Sequence, residues 1–154
     1  MKLKWTITIM VLTLVFFTLC LWTLTVLQYK NLDAINVASS FVDAVQNKDY
    51  MKAHSLTIKK GFVGVNVEEF ILALEGEIHG AEFVESEIFS VFPFQSWGNY
   101  FRRKLRGVAC ATEQHSVDYR IDTKGGNIQL AFEVRVIPND KCQWKVHYFQ
   151  THAY

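Results

Sequence analysis

The chain has little cysteine, three residues in 154, and no pair of Cys or His stands at structural-zinc spacing. Neither a zinc site nor a set of disulfides is needed, because the length allows one ordinary core. His147 and His152 lie five apart, an odd spacing that sends them to opposite faces of a strand. The run from Gly61 to Gly64 lacks the Lys-Ser/Thr and the preceding strand of a phosphate loop. No block repeats, no low-complexity stretch occurs, and no catalytic motif stands out. An excess of basic charge is missing as well. Beyond residue 30 there are 15 acids against 13 Lys and Arg, a net of −2, which argues against a general nucleic-acid binder. Residues 31–90 carry ten acids and four lysines, whereas residues 91–154 carry nine basic groups and five acids. Opposite halves of this kind suit docking on other proteins, and an ordinary solvated surface has the same look.

Charge is wholly absent from Trp5 to Leu27. Twenty-three residues make about 34 Å of helix, enough to cross a hydrocarbon core of roughly 30 Å. Trp5, Trp22 and Tyr29 stand near the ends, where amphipathic rings favour the headgroup layer. A cleaved signal peptide needs a shorter apolar run and a small-x-small site, and neither is present. Cys20 is no lipoprotein cysteine, since apolar residues continue past it. Residues 1–30 therefore read as a retained single-pass anchor and residues 31–154 as one domain. Lys2, Lys4 and the terminal amine outweigh Lys30 and Asp33, which predicts a cytoplasmic N-terminus and an extracytoplasmic domain.

Within the domain, Leu32, Ile35, Ala38, Phe41, Val42 and Val45 follow helical spacing. Asp49 can cap a short second helix bearing Tyr50, Ala53 and Leu56 on one face. Asn66 with Glu69 opens a third, striped by Val67, Phe70, Ile71 and Leu74, with Gly76 as its stop. After Gly80 the period becomes two. Phe83–Val91 reads as a strand ended by Pro93, then a loop to Asn99, then a long strand from about Phe101 to Ile121. Thr123–Gly126 reads as a hairpin turn, with Val117 expected opposite Phe132. Two further strands follow, Ile128–Val136 and one with Trp144, Val146 and Tyr148 on one face. The expected fold is α+β: three helices on a curved antiparallel sheet of about four strands, behind one transmembrane helix.

The run Phe41–His54, FVDAVQNKDYMKAH, together with the helix trio and long hairpins after it, resembles the opening of nuclear-transport-factor-2-like domains. That resemblance implies a cone-shaped α+β fold over residues 33–150. The superfamily holds isomerases, cyclases, transport adaptors and membrane-anchored scaffold subunits, so the resemblance leaves function open. A cystatin-like or other helix-plus-sheet domain is the alternative.

An enzyme built on such a cone sets an acid–base pair among apolar walls. The candidates are Tyr50, His54, His79, His115, Asp118 and Tyr119, and none matches a catalytic pattern. Asp118 alternates with Val117 and Tyr119 and should point away from the core. Tyr50 and His54, four apart on a helix, more often pack at a sheet edge. The segment Val91–Arg106 is richer: Phe92, Phe94, Trp97, Tyr100 and Phe101 precede Arg102, Arg103, Lys104 and Arg106. Aromatics with arginine are the composition of interface hot spots, and beside a membrane the same mixture suits anionic headgroups. The bland reading is a loop folding its rings back over the open end of the sheet.

Cys110 and Cys142 come near each other across the hairpins if the register is carried back, and a bond would stabilise by roughly 3–4 kcal/mol. Parity opposes it, since Cys110 falls on the other face unless a bulge intervenes. The composite reading is a membrane-anchored, non-enzymatic accessory or scaffold subunit docking on proteins of a membrane complex. It needs no cofactor, binds neither nucleic acid nor a small ligand, and takes its partners from the bilayer and its proteins. The other class is an extracytoplasmic small-ligand binder or enzyme using the cavity of the cone.

Overall fold

A computed structural model of the chain describes residues 2–27, 30–93, 96–107, 114–124 and 129–153. They belong to two compact units, Met1–Tyr29 with Gln95–Val108, and Lys30–Phe94 with Ala109–Tyr154. The segment 95–108, expected inside the domain, thus groups with the N-terminal helix.

The first unit contains helix α1, Lys2–Val26, and helix α5, Trp97–Leu105. By length and composition, Trp5–Leu24 of α1 can cross a membrane. Three of its threonines do not break the apolar character, because their hydroxyls bond back to their own helix. Thr13 donates to the Ile9 carbonyl, Thr18 to Leu14 and Val15, and Thr23 to Cys20. Helix α5 occupies residues expected as loop and as the start of a long strand. Its apolar positions explain the difference, for Trp97, Tyr100, Phe101 and Leu105 recur at helical spacing. Ser96 caps the start by accepting from the Asn99 N–H at 3.3 Å. Gly107, at φ +69, stops it in the left-handed region that glycine favours.

In the second unit, α2 (Leu32–Gln46), α3 (Tyr50–Ser55), a 3₁₀ turn (Gly61–Val63) and α4 (Val67–Ile78) accompany strands β1 (Phe83–Pro93), β2 (His115–Thr123), β3 (Gln129–Pro138) and β4 (Trp144–Ala153). The sheet is an antiparallel meander in the order β1-β2-β3-β4. Helix α2 crosses it and touches all four strands. It does so on Ala34, Ala38, Phe41, Val42, Ala44 and Val45, all buried, while Leu32 is 72% exposed. The buried stripe therefore begins at Ala34 instead of Leu32, and its small alanines let the helix sit close to the strands. Asp49 caps α3 through the Lys52 N–H, and Asn66 caps α4 through the Glu69 N–H, as their sequences suggest. Gly76 does not end α4. The helix continues to Ile78, and His79 at φ 50 with Gly80 at φ +75 makes the stop.

Aromatic rings fill the interior between helices and sheet. Phe41 stacks on Phe149 at 5.6 Å, Phe70 meets both edge-on, and Phe83 packs on Phe132 at 5.4 Å. Each such pair contributes about 0.5–1.5 kcal/mol beyond its burial. Val117 pairs with Val134, two positions from the expected Phe132, so the β2–β3 register is shifted without changing which side chains face inward. On β4 the face does change. His147 is an extra residue between the pairs Arg135–Tyr148 and Val136–Val146, and this bulge swaps parity beyond it. Phe149 is buried where Tyr148 was expected, and Tyr148 lies under the Arg135 guanidinium at 4.9 Å. Trp144 is half-buried against the core rather than within it.

Candidate functional site

Helix α5 is joined to helix α1 by its backbone. The Trp97 N–H donates to the Leu27 carbonyl at 3.0 Å, so a donor left over at the start of one helix meets an acceptor left over at the end of the other. The rings of Trp97, Tyr100 and Phe101 form one cluster, with Trp97 stacked on Phe101 at 5.8 Å and Tyr100 edge-on to both. Phe101 stays 46% exposed and Leu105 88% exposed. Around the helix from this apolar arc lie Asn99, Arg102, Arg103 and Arg106. Lys104 reaches back over Tyr100, its Nζ donating to the phenolic oxygen at 3.2 Å. Arg102, Arg103 and Lys104 fall in the last turn, where the helix dipole favours cations, and the helix holds no acid. Of the residues singled out for docking, Trp97, Tyr100, Phe101, Arg102, Arg103, Lys104 and Arg106 come together here. Phe94 lies outside the described residues.

The candidate acid–base residues do not converge. His54 is buried against Phe70 at 5.6 Å, and Tyr50 packs on the core edge. His115 is 1% exposed, stacks edge-on against Trp144, and accepts from the Asn31 N–H at 3.2 Å through Nε2. Asn31 in turn caps α2 with its side chain, so His115 fixes where that helix begins. Burial pushes the Tyr119 phenol up to about 12, partly offset by its hydrogen bond with Ser39, which leaves it a poor proton donor near neutrality. Asp118 faces away from the core, as its alternation indicates, and accepts from Ser90 at 2.7 Å. His79 is the exposed terminus of α4.

On the sheet face away from the helices stands a polar network that the sequence did not disclose. Glu133 accepts from Ser116 at 2.5 Å and from Arg135 at 2.6 and 3.0 Å, with His152 at 3.6 Å. Burial raises the Glu133 carboxyl, but these hydrogen bonds and the Arg135 charge outweigh it and hold it below its usual range. The group lies across two strands, with Ser116 beside Arg135 and Asp118 beside Glu133, and spacing along one strand does not reveal it. His147, in the bulge, is held below its usual pKa by burial and by the Arg135 charge.

An open cleft of about 730 Å³ lies at the end of α4, lined by Glu77, His79, Glu82, Lys124, Leu130 and Thr151. Its charges are engaged. Glu82 pairs with Lys48 at 2.6 Å and Lys124 at 2.9 Å, and Glu77 accepts from the Thr151 N–H. Among the described residues no group of three or more His, Cys, Asp or Glu is placed to hold a metal. Cys142 is disulfide-bonded and Cys20 is free, while Cys110 lies outside the described residues. No protein-family model, curated protein or solved structure matches this chain.

Proposed function

We propose that the protein is a membrane-tethered, non-enzymatic accessory subunit that holds an α+β domain beside the bilayer to dock on other proteins of a membrane complex. The observation that carries this reading is the filled interior. Phe41, Phe70, Phe132 and Phe149 occupy the space between helices and sheet where a cone-shaped enzyme would keep its pocket, and all four are fully buried. The helix Trp5–Leu24 supplies the tether, and α5 adds a juxtamembrane surface of rings and cations. A nuclear-transport-factor-2-like ancestry accords with helices packed on a four-stranded antiparallel sheet. A disulfide at Cys142 accords with a domain outside the cytoplasm, where such bonds persist.

Extraction of the full-length chain from its native membrane in mild detergent tests this. A membrane protein recovered with it in fixed proportion is the expected result. Recovery of the chain alone, together with thermal stabilisation by a small organic ligand, would favour the ligand-binding reading, for which the cleft at Glu77 and Thr151 offers space.

A further inference from the structure

Strand β1 is an edge of the sheet, bonded to β2 along one side only. Among the described residues no backbone group of another element reaches its other side, and the one side chain that bonds its backbone, Gln46, donates to the Val84 carbonyl. The open N–H and C=O groups of such an edge are a template for a further strand. Bulges at Val84 and Phe89 blunt it and leave the run Glu85–Ile88 regular between them. That run alternates. Ser86 and Ile88 face the helices, opposite Ile121 and Tyr119, while Glu85 and Glu87 face away, opposite Asp122 and Arg120. Ile88 is 41% exposed although it lies on the core side, and Val84, Phe89 and Phe92 are exposed as well. Apolar side chains gathered on an open edge mark an interaction surface.

Charge says what covers it. Glu85, Glu87 and Asp122 meet one cation, Arg120, whose guanidinium lies over the Phe89 ring at 5.2 Å. Lys48 and Lys124 are paired with Glu82, before the strand begins. Among the described residues no ion pair involves Glu85 or Glu87. A second copy of the chain fits poorly. Antiparallel pairing of β1 with itself through the regular run sets Glu87 on Glu87, or Glu85 on Glu87, and like charges placed opposite destabilise. The geometry points to β1 as the docking edge for an extended, basic segment of a partner protein, which adds one more strand to the sheet. Its apolar residues lie beside Ser86 and Ile88, and its Lys or Arg residues beside Glu85 and Glu87. This deepens the accessory-subunit reading, on which it rests, by naming the surface and the chemistry of the partner.

The test uses the full-length chain in phosphatidylcholine nanodiscs, whose zwitterionic surface does not compete for a cationic peptide. The peptide Val-Lys-Val-Lys-Val-Lys is added and backbone hydrogen exchange is followed. Well above its Kd, the amides of residues 85–88 that do not face β2 are expected to exchange at least about tenfold more slowly, with β3 and β4 unchanged. Val-Glu-Val-Glu-Val-Glu should give no protection. Neither should the lysine peptide with every amide N-methylated, which keeps the charge and removes the ladder donors. Glu85→Lys/Glu87→Lys should exchange the preference between the two unmethylated peptides while β2, β3 and β4 exchange as in the parent, which separates charge from fold. No protection by the lysine peptide, or equal protection by the acidic or the methylated one, overturns the proposal. Protection of β1 in a dimer without peptide assigns the edge to a second copy and overturns the basic partner. Extraction from the native membrane separates the two readings. If Glu85→Lys/Glu87→Lys brings down the same membrane protein as the parent, the subunit reading stands and the β1 edge is overturned. A parent that brings down none overturns the subunit reading and this docking edge with it.

Discussion

Two glycines in one stretch of chain respond to alanine with opposite signs. Gly64 has φ +77, and a Cβ there would meet the Phe70 nitrogen at 2.6 Å and the Glu69 carbonyl carbon at 2.9 Å. The contact is backbone, which has no room to give. Gly64→Ala is expected to destabilise by about 2 kcal/mol or more, read as a lower thermal midpoint. Gly76 lies in the middle of an exposed helical turn with nothing near its missing Cβ. Gly76→Ala should raise stability by about 0.5–1 kcal/mol. Glu82 gives the pH counterpart. Hydrogen bonds from Lys48 and Lys124 hold its carboxyl down from 4.5 to about 2. A depressed carboxylate adds stability that is complete above its unfolded pKa and is lost as pH falls through the folded one. Glu82→Gln should therefore flatten the fall in stability between pH 4.5 and about 2. The effect should fade in high salt, because the group is exposed.

At the scale of elements, what could be read from the sequence was what depends on near neighbours in the chain. The caps at Asp49 and Asn66, the stripe of Ala38, Phe41, Val42 and Val45 on α2 and the strand from Phe83 are all local, and all are present. Register and bulges depend on a partner strand. The two-position shift between β2 and β3 and the extra His147 leave no local mark, so Tyr148 was assigned the face that Phe149 takes. Helix α5 was hidden for a different reason. Over nine residues, aromatic and basic side chains fit a strand edge as well as a helix face, and the deciding cap, Ser96, looks like any loop serine. The aromatic and basic run of α5 was visible in the composition, but its attachment to α1 was not, since that rests on a contact between distant residues. Ser96→Ala should remove about 1 kcal/mol from α5 alone. Faster amide exchange at residues 97–100, without change in the sheet, is the measurement that checks it.

For the whole molecule, the anchor and the sheet unit are expected to part cleanly. The mature chain should keep its N-terminus at or near Met1 and resist alkaline carbonate extraction; a new N-terminus between residues 20 and 30, found by mass spectrometry, would remove the anchor. A chain beginning at residue 31 should keep the protection of β2–β4, because the aromatic core lies entirely in the sheet unit. It should lose protection in α5, which no longer has the Leu27 carbonyl to hold. Hydrogen exchange on the truncated chain reads both at once.

The bond between Leu27 and Trp97 also sets an order of events during synthesis. Its two ends are seventy residues apart, so α1 leaves the ribosome long before α5 exists. At roughly 5–20 residues per second the interval is about 4–14 s. Throughout it the Leu27 carbonyl lacks this partner, and α2, α3, α4 and β1 emerge in the meantime. Strand β1 has no strand neighbour until β2 follows α5, so the sheet can close only after α5 has been made.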